Sequence, residues 1–344
     1  MKRTFEWTKT VRPNILALHP YSSARDEFTG EEGIFLDANE NPFGEYNRYP
    51  DPHQKALKQA LSEVKGVPAG QLFIGNGSDE IIDLVYRIFC EPGKDSVIIC
   101  PPTYGMYEVA ANINDVAIRR IPLTASFQLN ADAILQTAQT DPSVKLLFLC
   151  SPNNPTGNGL NGVEEVIRAF PGIVVADEAY IDFYPGRSLK NRTATHPNLI
   201  VMQTFSKAWA LASARVGIAF AQERLIALMD KTKPPYNVSR LNQEAALAAL
   251  SHPEAFEERL SVILEQKERL LHELPRIGIV KKIYPSDANF LLVEVDDANR
   301  VYDRLVEKKV IVRNRHSQVP GCIRITVGSP EENDKLLKEL EMMC

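Results

Sequence analysis

Thr204-Phe205-Ser206-Lys207-Ala208-Trp209, with Arg215 following in Ser213-Ala214-Arg215-Val216-Gly217, decides how this sequence is read. Just upstream, Leu199-Ile200-Val201-Met202 is a short apolar run rich in β-branched residues, the pattern of a buried strand. Lys207 therefore stands just past the carboxyl end of a strand, where open α/β sheets place their ligands. A deprotonated lysine amine attacks carbonyl carbons. Ser206 and Arg215 add a hydroxyl and a guanidinium, donors suited to a phosphate ester. The same residues also fit a plain strand end with an exposed lysine and a helical arginine. Other strand ends have to decide between the two.

Those ends repeat one pattern. Leu72-Phe73-Ile74 runs into Gly75-Asn76-Gly77-Ser78-Asp79-Glu80 and then into a helical period from residue 81. Glycines before a helix start leave backbone amides open to an anion, although Ser78 or Asp79 could equally be a simple N-cap. The strand at 96–100 ends in Pro101-Pro102-Thr103-Tyr104-Gly105-Met106-Tyr107. The strand at 145–150 ends in Ser151-Pro152-Asn153-Asn154-Pro155-Thr156-Gly157, and the one at 172–176 in Asp177-Glu178-Ala179-Tyr180. With Val216-Gly217-Ile218-Ala219-Phe220, these strands alternate with helical stretches, which predicts a mostly parallel sheet covered on both faces. Polar, turn-forming residues then collect along one edge of it.

The totals narrow the classes. A chain of 344 residues is too long for one simple core. A net charge of -5 gives no case for nucleic acid or an anionic membrane as partner. The 5 cysteines include no CxxC pair, which suits buried free thiols better than disulfides or a metal site. With no signal peptide and no membrane-spanning run, a soluble, cytoplasmic protein is expected. Residues 1–30 read as an arm, residues 31–240 as a large domain, and 241–344 as a smaller one. The interruption Lys233-Pro234-Pro235-Tyr236-Asn237 marks the boundary. Helices are expected over 54–64 and over 241–274 with a break near His252-Pro253. The C-terminal part reads β-α-β-β-α, with strands at 289–295, 310–313 and 322–327.

Pyridoxal 5'-phosphate (PLP) chemistry would use what these strand ends offer. Asp177 closes an apolar strand, so its carboxylate is costly there unless a cation such as a pyridinium faces it. At about 3 Å and an effective dielectric near 20, that attraction is roughly 5 kcal/mol. Asn154 and Tyr180 could bond a ring hydroxyl, Tyr104 could stack on the ring, Gly77, Ser78, Ser206 and Arg215 could cradle the phosphate, and Asp79 is a further cofactor-contact candidate. Each also has an ordinary role in turns and caps. Their joint occurrence favours the cofactor.

Asn154-Pro155-Thr156-Gly157, Asp177-Glu178-Ala179-Tyr180, Ser206-Lys207 and Arg215-Val216-Gly217 together resemble the fold type I, PLP-dependent aminotransferases over nearly the whole chain. Within them, the Tyr104 segment, the doubled asparagine and Gly321-Cys322-Ile323-Arg324-Ile325-Thr326-Val327-Gly328 look most like the histidinol-phosphate aminotransferases. One departure is that Ser213 and Ala214 stand where a glycine and a leucine often precede the arginine. The resemblance implies the aspartate aminotransferase-like fold, with a mostly parallel seven-stranded sheet in the large domain and a smaller α+β domain. It implies Lys207 as the Schiff-base lysine, Asp177 as pyridinium partner, and Asn154 and Tyr180 as ligands of the ring hydroxyl. Strand alternation sets Arg324 against Ile323, Ile325 and Val327. The resemblance makes Arg324 the anchor of the substrate anion, with Arg313, Tyr21 and Asn39 also at the substrate. Histidinol phosphate and glutamate or 2-oxoglutarate are the implied substrates; aromatic amino acids, a phosphothreonine-type decarboxylation, or a non-catalytic PLP-binding regulatory module are the alternatives. Tyr49 resembles a tyrosine that reaches the neighbouring subunit's cofactor, which implies a homodimer.

Overall fold

A computed structural model of the chain describes residues 5–22 and 33–343. The rest of the predicted arm, with Cys344, lies outside the described residues. Within the arm, Trp7–Thr10 and Pro13–Ala17 form two short helices.

Seven strands make the main sheet: β1 Leu72–Asn76, β2 Ser96–Ile99, β3 Ala117–Arg120, β4 Val144–Cys150, β5 Ile173–Asp177, β6 Leu199–Thr204 and β7 Val216–Phe220. Their order is β1-β7-β6-β5-β4-β2-β3. The pairs from β3 to β6 are parallel, whereas β7 runs antiparallel to both β6 and β1. Successive side chains in the strands enter opposite cores. Phe73, Phe148 and Val175 pack on one face with the helices Ser78–Phe89 and Glu223–Thr232. Leu72, Ile74, Leu147, Leu149, Val174 and Ala176 pack on the other, under Lys55–Lys65, Val163–Ala169 and Arg240–Leu250. A sheet covered on both faces needs strands apolar at every position, as these sequences are.

Four further strands, β8 Val280–Ile283, β9 Phe290–Val295, β10 Arg313–Asn314 and β11 Cys322–Thr326, form a second, antiparallel sheet ordered β10-β11-β9-β8. Its core joins Leu291, Val293, Ile323 and Ile325 to Leu270, Val301, Leu305 and Leu336 from three covering helices. The expected helices appear, the later pair as Arg240–Leu250 and Pro253–Glu273. The strand expected at 310–313 is displaced. Val310 N–H donates to the Leu305 carbonyl at 2.9 Å and closes the preceding helix, so pairing begins only at Arg313.

The two sheets meet at the loop after β4. Gly157 has φ +85°, and a Cβ there would lie 2.5 Å from Ser286 Oγ. Asp287 N–H donates to the Gly157 carbonyl at 2.7 Å, and Asp287 Oδ2 accepts from Gly159 N–H at 2.7 Å. These contacts seat the turn before β9 against the carboxyl edge of the main sheet. Among the described residues no helix is long and apolar enough to cross a membrane.

Candidate active site

A cavity of about 430 Å³ opens at that edge, lined by residues from the ends of β4, β5 and β6, the start of the helix Ser78–Phe89, and the second sheet. Of the residues singled out in the sequence, Ser78, Asp79, Tyr104, Asn154, Asp177, Tyr180, Ser206, Lys207, Arg215, Arg313 and Arg324 all line it. Gly77 lies beneath it. Tyr21, Asn39 and Tyr49 are not among the lining residues. Tyr21 is 74% exposed, and Tyr49 stacks on Tyr236 with ring centroids 4.4 Å apart.

The helix Ser78–Phe89 starts without a side-chain cap. Gly77 is its N-cap residue at φ 77°, and no side chain accepts from the first turn. The cap reading of Ser78 and Asp79 is thereby set aside, and the helix's first turn lines the cavity with its amides left without a side-chain acceptor. Arg215 is not helical either; it takes φ 50° after the short turn Ala212–Ala214. Its Nη2 donates to Asp79 Oδ2 at 3.1 Å and packs over Gly77, where any Cβ would collide with the guanidinium. Gly217 matters for a similar reason. A Cβ there would lie 2.5 Å from Gly77 C and Ser78 N, so the β1–β7 pairing admits only glycine.

Asp177 is 3% exposed. Burial pushes its carboxyl up from the ordinary range, opposed chiefly by the hydrogen bond from Tyr107. Tyr107 Oη donates to Asp177 Oδ2 at 2.5 Å, and Ala179 N–H donates to Oδ1 at 3.0 Å. The Tyr107 ring stacks on Phe148 at 4.7 Å. Tyr107 was not among the sequence candidates; the Tyr104–Tyr107 spacing at the mouth of a helix was its only signal.

The doubled asparagine divides its labour. Asn153, 1% exposed, donates to the Pro102 carbonyl at 2.9 Å and accepts from Thr103 Oγ1 at 3.0 Å, which ties two loops together. Asn154 faces the cavity. Its amide lies 3.4 Å from Tyr180 Oη, and its Oδ1 accepts from Arg324 Nη1. Lys207 Nζ lies 5.5 Å from the centroid of the Tyr180 ring. Desolvation first, and then the Arg324 charge, hold the Lys207 amine below its ordinary pKa, with Asp177 opposing. Arg324 stacks over Phe290 at 5.0 Å and stands opposite Arg313 in the β10–β11 pairing. Arg315, absent from the sequence candidates, joins them in the cavity wall.

A lysine whose pKa is lowered by burial and by Arg324, sharing a cavity with a buried carboxylate and with anion donors at two ends, is the equipment of an amino-group transferase. The chain belongs to the class I and II aminotransferases, whose family match spans residues 31–340. It is 51% identical to the histidinol-phosphate aminotransferase of Cytophaga hutchinsonii over 98% of this chain and 99% of that protein. With the histidinol-phosphate aminotransferase of Parabacteroides distasonis the identity is 50%, over 97% of each. Its fold is that of the histidinol-phosphate aminotransferase of Sinorhizobium meliloti solved in complex with pyridoxal-5'-phosphate. That match has a TM-score of 0.78 and 26% identity, and covers 86% of this chain and 82% of the other.

Proposed function

We propose that this chain transfers the amino group of histidinol phosphate to 2-oxoglutarate, with pyridoxal 5'-phosphate as cofactor, as a cytoplasmic homodimer. One observation carries the reading: the cavity holds Asp177 at the β5 end and only cations, Arg313, Arg315 and Arg324, at the β10–β11 end, and both Asp177 and Arg324 act on Lys207. The relatives that match nearly the full chain support the same substrate by their names.

The residues fit the cofactor. The uncapped start at Ser78, the Ser206 hydroxyl and Arg215 would hold its phosphate, and the close packing at Gly77 and Gly217 leaves that cradle open. Asp177 would face the ring nitrogen, Asn154 and Tyr180 the ring hydroxyl, and Tyr104 a ring face. Pyridoxal phosphate, when bound, supplies an aldehyde for the amino group and a ring that takes up the electrons of the breaking Cα–H bond. Lys207 Nζ moves the proton. An amine whose charged form is disfavoured by burial and by Arg324 is the better base near neutrality. Tyr107 and Ala179 donate to Asp177 and favour its charged form against burial, which would complement a protonated ring nitrogen. Arg313 and Arg324 receive the substrate's distal anion, a phosphate in one half-reaction and a carboxylate in the other.

A second copy of the chain would complete the site through Tyr49. In support, Ile34, Leu36 and Phe43 of the same segment are 91%, 87% and 82% exposed, an apolar stretch that a partner surface would cover. The test is a half-reaction screen of purified yellow protein. Histidinol phosphate should react fastest, and borohydride should fix the cofactor to the peptide carrying Lys207. Faster reaction with phenylalanine than with histidinol phosphate would move the assignment to an aromatic aminotransferase.

A further inference from the structure

The reading above uses two arginines for the substrate anion, but the cavity wall holds a third. Arg313 pairs opposite Arg324, and Arg315 continues that register, its N–H donating to the Cys322 carbonyl at 2.9 Å. Side chains two apart on an extended chain leave the same face, so Arg313 and Arg315 emerge together beside Arg324. All three line the cavity that Lys207 lines.

Clustered guanidiniums are normally balanced by carboxylates. Here none of the three forms an ion pair among the described residues. The two carboxylates of the cavity wall are engaged elsewhere, Asp79 with Arg215 and Asp177 with Tyr107. The Nε atoms of Arg315 and Arg324 are both shielded from solvent and have no acceptor. A buried charged donor without a partner is costly, and native proteins keep one mainly where a ligand supplies the acceptor. Burial, followed by the charges of Arg324 and Arg313, brings Arg315 down to about 10, so it is still a cation at neutral pH.

A carboxylate offers two oxygens and one charge, which two guanidiniums satisfy. A phosphate monoester offers three terminal oxygens and close to two charges at neutral pH. We propose that Arg315 is a specificity-determining residue, the third guanidinium contact of the substrate anion, which makes this site favour a phosphate dianion over a carboxylate. The proposal rests on the substrate reading above and extends it by one residue.

Arg315→Gln removes the charge and keeps a polar side chain. Binding of 3-(imidazol-4-yl)propyl phosphate, which lacks the reacting amine, is read by calorimetry on the holoenzyme. Single-turnover half-reactions with histidinol phosphate, histidinol and glutamate accompany it. The phosphate ligands should lose about 10- to 100-fold in affinity, the size of one charge-assisted contact, while glutamate loses less than about threefold. In wild type, phosphate binding should tighten as pH rises through about 6, where the dianion forms, and that gain should shrink in the variant. Arg315→Lys, which keeps the charge, should retain most of the pH gain; losing it as Arg315→Gln does would overturn the charge assignment. Equal losses for phosphate ligands and glutamate, or none for either, would overturn the proposal as well. If the wild type treats histidinol and histidinol phosphate alike, the substrate reading itself fails. If it discriminates and Arg315→Gln discriminates equally well, only the role of Arg315 fails.

Discussion

Replacing Tyr107 by phenylalanine isolates one hydroxyl in the centre of the protein. The ring is fully buried and stacked on Phe148, so phenylalanine fills the same place and the loss is confined to the bond on Asp177. A hydrogen bond to a charged acceptor contributes about 1.5–3 kcal/mol. Its loss lifts the Asp177 carboxyl further in the direction burial already drives it. The sign follows. A carboxyl with a folded pKa above its unfolded value binds more protons folded than unfolded, so stability falls as pH rises between the two values. The variant widens that window upward. Its deficit against wild type should be about 1 kcal/mol at low pH, where the acid is neutral in both states. It should grow toward about 3 kcal/mol once the carboxylate is ionised.

Urea unfolding of cofactor-free protein from pH 5 to 9 measures that growth. In the holoenzyme, the acid limb of kcat/KM should move upward. A stability deficit that is constant with pH, together with an unmoved acid limb, would refute the claim that Tyr107 holds the Asp177 charge. It would leave the phenol as packing alone.

Gly217→Ala should push β7 away from the start of the helix Ser78–Phe89, costing about 1–3 kcal/mol in unfolding free energy, and cofactor affinity measured by absorbance titration should fall at least about tenfold. Glu178, 2% exposed and pushed up to about 7 by burial against the hydrogen bonds of Leu189, Ser188 and Gln203, is protonated in the fold before it is in the unfolded chain. Wild-type stability should therefore decline between about pH 4.5 and 7, by up to about 3 kcal/mol, and Glu178→Gln should flatten that part of a pH series of denaturation curves. Mixing Lys207→Ala with Tyr49→Ala should restore activity to two inactive proteins if Tyr49 serves a partner's site. A Tyr49→Ala protein that binds cofactor as tightly as wild type would end that reading.

Most of the main sheet was legible because strands buried on both faces must be apolar throughout, and such runs are conspicuous. The strands that escaped were edges. Ala117-Ile118-Arg119-Arg120 and Val280-Lys281-Lys282-Ile283 are short, half-exposed and basic, the composition that keeps an edge from pairing further and also hides it from a hydrophobic pattern. The strand-end residues at the site were legible for the converse reason, since polar side chains at the end of an apolar strand need an explanation. Sequence could not reveal partners distant along the chain. Asp79 meets Arg215, Tyr107 meets Asp177 and Arg324 meets Asn154 only because the sheet order brings them together. The alternation that exposed Arg324 also existed in Arg313-Asn314-Arg315, but a two-residue strand is too short to show a period.

The same sheet order separates the two jobs of the cavity. Its acidic end is built on β5 and the helix after β1, against the main sheet, while its cationic wall is built on β10 and β11 of the second sheet. Lys207 belongs to the first and is touched electrostatically by both, since Asp177 raises and Arg324 lowers its pKa. Changing Arg324 therefore has two consequences that a simple binding contact would not have. The anion loses a donor, and Lys207 loses a repelling charge and becomes a more strongly protonated base. For Arg324→Ala both effects slow the reaction, and the second shows as an upward shift of the apparent pKa that the cofactor's absorbance reports for the nitrogen joining Lys207 to it in the unliganded holoenzyme. Arg313 and Arg315, whose charges are not among the main influences on Lys207, should shift substrate binding and leave that spectrum where it is. A spectral shift in Arg315→Gln equal to that in Arg324→Ala would mean that the two ends of the cavity are not separable in this way.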